Sequence, residues 1–110
     1  MLYSRTLVFL GMSREDGQLI PDSEVSAFID EVVVPRFPTG TTQVCANRTY
    51  GSRTSGVIHE PSRLLTILHP NDPASRAKIH ELATIYRTRF QHELVLIALS
   101  PALVFPWRHR

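Results

Sequence analysis

The sequence predicts a small α+β protein with one antiparallel sheet and two helices, in the order β-α-β-β-α-β. Four segments rich in β-branched, aromatic and aliphatic residues are interleaved with two segments whose apolar residues recur at helical spacing. A chain of 110 residues holds one domain, residues 1–110, and has no room for a second core. A hydrophobic share of 43% with 20% charged residues is typical of a globular domain and excludes disorder over most of the length.

The first strand is predicted from Leu2 to Met12, and apolar residues fall on both of its faces. A strand of this kind is covered on both faces. The first helix is predicted to begin at Asp22 as its N-cap and to end before Pro35, because the residue before a proline disfavours the α conformation. Its apolar stripe consists of Val25, Phe28, Ile29, Val32 and Val33.

A hairpin is predicted next, with strands at Thr42–Tyr50 and Val57–Leu68 and a loop from Gly51 to Gly56. Pro61 interrupts the second of these strands. Since proline cannot donate to a sheet ladder, Pro61 is expected at a bulge or on an edge.

The second helix is predicted to begin after Asp72, which is a good N-cap with Pro73 at the first helical position. The fourth strand is predicted at Leu94–Leu99, and its six consecutive apolar residues indicate a central strand. Ala102–Phe105 is a possible extension of the sheet, and Pro106–Arg110 is a short tail. The apolar stripe of the helix consists of Ile79, Leu82, Ala83, Tyr86 and Phe90.

This order of elements is the split βαβ, or ferredoxin-like, pattern, which places both helices on one face of the sheet. The first and fourth strands are apolar on both faces, so the second face also needs a cover. The simplest cover is a second copy of the same sheet. The sequence therefore predicts a homodimer, arranged as a dimeric α+β barrel.

Five motifs and one further residue can be compared with a known family: Phe9–Ser13, Val34–Gly40, Glu60–Arg63, Leu68–Asp72 and Tyr86–Phe90, with Glu93 before the last strand. In the order and spacing of these motifs, which cover nearly the whole chain, the sequence resembles the bacterial family known as domain of unknown function 3574. His92 stands where the family pattern has a glutamine. The resemblance implies a ferredoxin-like fold and a bacterial setting, and it implies no established activity.

His59 and Glu60 are the candidate catalytic residues. Histidine is an acid or base near neutral pH, and a carboxylate can orient it. Adjacent strand residues point to opposite faces, so the two can share a pocket only if Pro61 forms a bulge. The alternative is a structural ion pair between Glu60 and Arg48 or Arg63.

Tyr3, Arg5, Arg48 and Arg63 are the candidate substrate-binding residues. Arg5 shares a strand face with Tyr3 and with apolar residues, and a mid-strand arginine on such a face needs an anion. That anion is Glu60 or Glu93, or a carboxylate or phosphate of a small ligand. Because the first and third strands are neighbours in a βαββαβ sheet, these residues are expected to approach Glu60.

Other kinds of site are not expected. Cys45 is the only cysteine, which excludes an internal disulfide, and it is predicted to be a small core residue. The histidines lack metal-ligand spacing, and no glycine-rich phosphate loop occurs. The third strand lacks the aromatic residues that stack RNA bases. With a net charge of +2, no signal peptide and no apolar run long enough to cross a bilayer, a cytoplasmic protein that binds neither nucleic acid nor membrane is expected.

Two classes of function remain open. The first is a cofactor-free small-molecule-binding protein or enzyme, with isomerase, lyase or cyclase chemistry at a site on the sheet face. The second is a non-catalytic dimeric module that binds a partner protein. A polar cavity around Glu60 favours the first, and a dry, leucine-filled interface favours the second.

Overall fold

The computed structural model describes residues 2–106, and the predicted tail lies outside this range beyond Pro106. The chain forms a four-stranded antiparallel sheet with the strand order β2-β3-β1-β4. This arrangement confirms the predicted βαββαβ fold. The elements are β1 (Leu2–Gly11), α1 (residues 22–36), β2 (Thr42–Ser52), β3 (Gly56–Pro70), α2 (Pro73–Phe90) and β4 (Leu96–Leu103).

The first helix differs from its prediction at both ends. Asp22 is the first helical residue, and Pro21 occupies the N-cap position. Pro35 lies inside the last turn instead of stopping the helix. A π-helical segment, Ile29–Val33, precedes this turn, and the N–H of Val34 donates to the carbonyl five residues back. This wider turn makes room for the proline ring, so the helix continues to residue 36.

The core lies between the two helices and one face of the sheet. On β1 the side chains of Ser4, Thr6, Val8 and Leu10 are buried on this face. Both predicted helical stripes are buried as expected. The predicted cap of α2 is also confirmed, because the Asp72 carboxylate accepts a hydrogen bond of 2.7 Å from the N–H of Ser75. None of the helices within residues 2–106 has the length and apolar character needed to span a membrane.

The fourth strand is an edge strand, and its predicted central position is wrong. It starts at Leu96, two residues later than predicted, and continues through Pro101, which an edge position tolerates. Its residues pair only with β1, so Leu96 and Leu99 remain 49% and 48% exposed in the single chain. Six consecutive apolar residues predict a strand, but they do not indicate whether that strand is central or at an edge of the sheet.

The hairpin of β2 and β3 is confirmed, and its turn is shorter than predicted, at residues 53–55. The pairing passes through Pro61 without a bulge, since Pro61 pairs with Asn47 in an unbroken register. Pro61 lies just beyond the last pair of β1 and β3, Gly11 with Ser62. The backbone carbonyl of Pro61 accepts a hydrogen bond from the N–H of Met12, so the proline nitrogen, which has no hydrogen to donate, faces the side on which β1 ends. Of the two predicted positions for Pro61, a bulge or an edge, the edge is therefore the observed one.

The second face of the sheet is called the open face below, and no helix of residues 2–106 packs on it. It carries alternate residues of each strand, because side chains of a strand point to opposite sides in turn. Apolar residues occupy its middle, with Leu68 toward the end at which Arg5 lies, and they remain partly or largely exposed: Leu7, Phe9, Val44, Leu64, Leu68 and Leu96.

Candidate functional site

Glu60 is the one carboxylate that the structure buries on the open face. It lies on β3 opposite Arg48 of β2, and its side chain is only 4% exposed. The position is near the end of β1, where β3 continues past its neighbour. A buried carboxylate is costly unless hydrogen bonds or charges compensate it. The neighbours of Glu60 therefore define the site.

Three polar side chains surround the carboxylate of Glu60. The hydroxyl of Ser13 donates a hydrogen bond to Oε2. The Nε2 atom of His92 lies 3.5 Å from the same oxygen, and the guanidinium of Arg48 lies 4.0 Å from Oε1. The Nδ1 atom of His92 is buried without a hydrogen-bond partner within residues 2–106, so Nε2 makes the polar contact of the ring.

Gly11 provides the space that Glu60 and His92 occupy. A Cβ atom at this position would lie 2.7 Å from Oε1 of Glu60 and would also collide with Nε2 of His92. The glycine is needed here for its missing side chain, because its backbone angles are ordinary ones. Only a glycine at the end of β1 lets the carboxylate and the imidazole meet above the strand.

Two of the partners of Glu60, Ser13 and His92, lie in loops that follow β1 and α2. Ser13 follows β1 directly, and the N–H of Met12 is fixed to the carbonyl of Pro61 at 2.9 Å. His92 follows the C-cap of α2, where Gln91 adopts the left-handed conformation with φ of 51°. The N–H of His92 then donates to the carbonyl of Arg87 at 3.1 Å, which closes the helix end.

The helix layer also supports the site from below. Tyr86 of α2 is fully buried, and its hydroxyl donates a 2.6 Å hydrogen bond to the carbonyl of Gly11. Burial raises the pKa of Tyr86 above its usual value, and the charge of Glu60 acts in the same direction. The phenol therefore stays protonated and keeps donating to Gly11.

Glu60 lies at the base of an open cleft of about 580 Å³. Charged groups of both signs, one aromatic ring and one apolar side chain line it. Arg48 stacks its guanidinium on the ring of Tyr50, 4.4 Å from the ring centroid. The lining residues are Ser13, Arg14, Glu15, Arg48, Tyr50, Glu60, His92, Glu93 and Leu94.

Arg48 and Glu60 are the two candidate residues from the sequence that form an ion pair with each other in the structure. Arg63 does not join them, because its side chain points to the helix face and is buried there. It is paired with Asp22 at the start of α1 and donates a 2.8 Å hydrogen bond to Gln43. Arg63 therefore ties β3 to β2 and to the first helix.

Arg5 and Tyr3 lie on the open face but at its other end. Arg5 is opposite Leu68 of β3, eight residues from Glu60, which corresponds to about 26 Å along the strand. The expected approach of Arg5 to Glu60 within one chain is therefore wrong. Neighbouring strands alone do not bring residues together, because the register also decides their distance.

His59 does not line this cleft, although it lines an adjoining pocket that Glu60 also lines, and Cys45 lies outside both. His59 is exposed and its Nδ1 atom is 3.2 Å from the hydroxyl of Thr49, as expected when no bulge turns it toward Glu60. Cys45 is exposed on the edge strand β2, so its predicted place in the core is wrong. Within residues 2–106, no three His, Cys, Asp or Glu side chains form a group that could hold a metal ion.

The sequence does not predict Ser13 and His92 as partners of Glu60. Both lie in loops, far from Glu60 in sequence. The available signal was the glycine two residues before Ser13 at the end of a strand, because an interior or terminal strand glycine marks a close approach of another group.

The fold is similar to that of a phage SAM lyase solved in complex with S-methyl-5′-thioadenosine. The TM-score is 0.67 at 17% identity, over 89% of this chain and 80% of that chain. A CutA protein from Synechococcus elongatus with bound Bis-Tris has a TM-score of 0.58 at 9% identity, over 94% of this chain and 87% of that chain. At these identities the similarity shows the ferredoxin-like fold alone.

Sequence comparison gives a family and no characterised relative. Residues 5–105 match the model of a family described as protein of unknown function, DUF3574. No curated protein matches the chain in sequence.

Proposed function

The chain belongs to the DUF3574 family, and we propose a function for it from the chemistry of the cleft around Glu60. In this proposal the protein binds a small molecule in the cleft and uses Glu60 as a base, without a resident cofactor. The supporting observation is the burial of Glu60, at 4% exposure, on a face that no helix covers. Such placement is uncommon for a carboxylate with a purely structural role at a surface.

The neighbours of Glu60 suit proton transfer. Ser13 donates a hydrogen bond to the carboxylate of Glu60, and Arg48 places a positive charge beside it. His92, 3.5 Å away, is placed to carry a second proton. Arg48 is 43% exposed in the cleft and is free to orient an anionic group of a ligand.

This set of groups fits lyase, isomerase or cyclase chemistry. In an elimination, Glu60 removes a proton from a carbon of the ligand, and the electron pair of that bond forms a double bond. The leaving group departs with the electrons of its own bond. A leaving group that departs as an anion receives a proton from His92, and a thioether that departs from a sulfonium needs none. Each role requires only groups that line the cleft.

The fold similarity suggests the first ligands to test. The phage relative in fold is described as a SAM lyase and was solved with S-methyl-5′-thioadenosine. Titration of the protein with S-adenosylmethionine, followed by calorimetry and by product analysis, tests both binding and lyase activity. Wild type is expected to bind with a Kd below about 1 mM, and Glu60→Gln is expected to lose turnover.

Asp30→Asn is the matched control, because Asp30 is an exposed carboxylate on α1, away from the cleft. NMR spectra recorded with S-adenosylmethionine and with a panel of small carboxylic and phosphorylated compounds provide a further test. The proposal would be contradicted if none of these compounds changed the chemical shifts of Ser13, Glu60 and His92.

A second candidate is a non-catalytic module whose open face binds a partner protein. The observation that favours it is the apolar middle of the open face, where Val44 is 51% and Leu96 is 49% exposed. A substitution in this apolar middle would then abolish binding of the partner protein, while Glu60→Gln would leave that binding unchanged.

A further inference from the structure

Arg5 lies on the open face, and no carboxylate within residues 2–106 pairs with it. It is exposed, and none of the ion pairs within residues 2–106 includes it. Its cross-strand neighbours are Leu68 and Ser100. While the face is exposed, water solvates the guanidinium. Once anything covers the face, Arg5 needs an anion, because an unpaired buried charge is costly.

The open face has a symmetric layout along β3. Leu64 lies four residues from Glu60 at one end and four residues from Leu68, the partner of Arg5, at the other. Apolar side chains surround Leu64 in the middle, among them Leu7 and Phe9. A two-fold rotation about Leu64 therefore exchanges the two polar ends and keeps the apolar middle in place.

The size of the face matches that of an interface between copies. Four strands and about ten residues of strand length give a flat area of about 600 Å². The accessible area of the side chains is larger than this and approaches the roughly 800 Å² per partner of a stable protein–protein interface. An apolar middle with polar ends is also the usual composition of such an interface.

The charges at the two ends are complementary. The cleft at the Glu60 end contains three carboxylates, Glu15, Glu60 and Glu93, and two arginines, Arg14 and Arg48. The opposite end carries the free guanidinium of Arg5. Placing Arg5 of one copy over the cleft of another brings a further cation to these three carboxylates.

We propose that a second copy of this chain covers the open face by this two-fold rotation, so that Arg5 of each copy enters the cleft of the other. The site is then shared, and Arg5 of the second copy serves as its additional anion-binding group. The nature of the bound molecule rests on the proposed function above. The pairing of the two copies does not, and it can be tested without any ligand.

Disulfide crosslinking tests the pairing in a Cys45→Ser background. Arg5→Cys is combined with Glu93→Cys, and the protein is oxidised and run on a non-reducing gel. Within one chain these positions are separated by more than about 13 Å, since Arg5 pairs with Ser100 and Glu93 precedes β4 by three residues. A disulfide needs Cα atoms closer than about 7 Å, so a bridge must join two chains.

We expect most of the double variant to run as a covalent dimer. His80→Cys with Glu93→Cys is the control, because His80 is exposed on α2, on the far side of the sheet. Absence of the dimer band would overturn the proposal. So would efficient crosslinking of Arg5→Cys with itself, since the axis would then pass beside Arg5 and not beside Leu64.

Charge exchange provides a second test, read by analytical ultracentrifugation. Arg5→Glu and Glu93→Arg are each expected to raise the Kd of self-association about tenfold or more, and the double variant is expected to recover most of the loss. A double variant weaker than both single variants would contradict the pairing. If the double cysteine variant crosslinks but the protein binds no small molecule, the pairing of the two copies is supported and the proposed function is contradicted.

Discussion

Tyr86 and Gly11 join the helix layer to the candidate site through a single hydrogen bond. The phenolic hydroxyl on α2 donates to the carbonyl of Gly11 at 2.6 Å, and Gly11 is the residue above which Glu60 and His92 meet. Tyr86 also packs edge-on against Phe28, with ring centroids 5.0 Å apart. The geometry of the cleft is therefore coupled to the packing of the core.

Removal of this hydroxyl tests the coupling. Tyr86→Phe is expected to lower the free energy of unfolding by about 1–2 kcal/mol, because a buried carbonyl loses its donor while the ring packing remains. Urea denaturation followed by circular dichroism measures the change. Tyr50→Phe, at a partly exposed ring on β2, is the control and should change stability by less than about 0.5 kcal/mol. Equal effects of the two substitutions would contradict the assigned role.

The same phenol predicts a loss of stability in alkali. The pKa of Tyr86 is raised in the folded state, so its neutral form stabilises the fold fully below the unfolded value near 10.0. Above that pH the unfolded state gains by losing the proton, and stability falls. Melting curves between pH 8 and about 11 measure this loss, which should be smaller in Tyr86→Phe than in wild type.

Gly11→Ala tests whether space at the end of β1 is required. The added methyl group would collide with Glu60 and His92, so we expect a loss of about 1–3 kcal/mol in the free energy of unfolding. Gly51→Ala is the matched control, because a Cβ atom there meets nothing within 4 Å and the backbone angle is not positive. The melting temperature should fall in Gly11→Ala and stay near the wild-type value in Gly51→Ala. A wild-type melting temperature for both variants would show that Glu60 and His92 can move aside for the added methyl group.

Phe28→Ala is expected to lower the free energy of unfolding by more than the substitutions at Tyr86 and Gly11. This ring is fully buried between α1 and α2, in contact with the rings of Tyr86 and Phe90. Phe28→Ala should lower the free energy of unfolding by about 3–5 kcal/mol, as other aromatic truncations in cores do. Leu19→Ala is the control at a loop side chain that is 66% exposed. An unchanged melting temperature for Phe28→Ala would contradict the observed packing.

Helical elements and the hairpin could be predicted because their signals are local. The stripe from Val25 to Val33 has a period that only a helix buries on one side, and the Asp72-Pro73 pair marks a helix start by local hydrogen bonding. The place of β4 could not be predicted in this way. Its apolar run has the same composition in a central strand as in an edge strand whose surroundings lie outside the chain.

The candidate site was predicted in part for a similar reason. Glu60 and Arg48 face each other across a hairpin, and a hairpin fixes its register locally. Ser13 and His92 reach Glu60 from loops, and no local pattern encodes that approach. Arg5 was expected nearby because its strand is adjacent, yet the register of β1 and β3 places it at the other end of the face.

The cap of α2 predicts a pH effect at the acid side. The hydrogen bond from the N–H of Ser75 lowers the pKa of Asp72 from its usual value of 3.8. Its stabilising effect is complete above that value and is lost as the pH falls through the lower folded-state value. Asp72→Ala should lower the melting temperature by a few degrees at pH 7, and this difference from wild type should shrink below about pH 4.

Asp72→Asn is the informative control for this cap, because asparagine also accepts the hydrogen bond but does not titrate. It should keep most of the stability at pH 7. An Asp72→Ala variant that stays less stable than wild type by the same margin at pH 2 would contradict a titrating cap.

Self-association is the prediction that depends on the whole open face. In solution the protein should have at least twice the mass of the 12.5 kDa chain at micromolar concentration, since an exposed apolar face of this size is unusual in a monomer. Leu64→Lys places a charge at the middle of that face and should dissociate the assembly without unfolding the chain, because Leu64 points away from the helices. Leu19→Lys introduces the same charge at an exposed loop and should leave the mass unchanged. Light scattering measures the mass of each variant, and circular dichroism confirms that each is folded. A wild-type mass near 12.5 kDa would overturn the shared site, and the exposed apolar middle of the open face would then favour the alternative of a module that binds a partner protein.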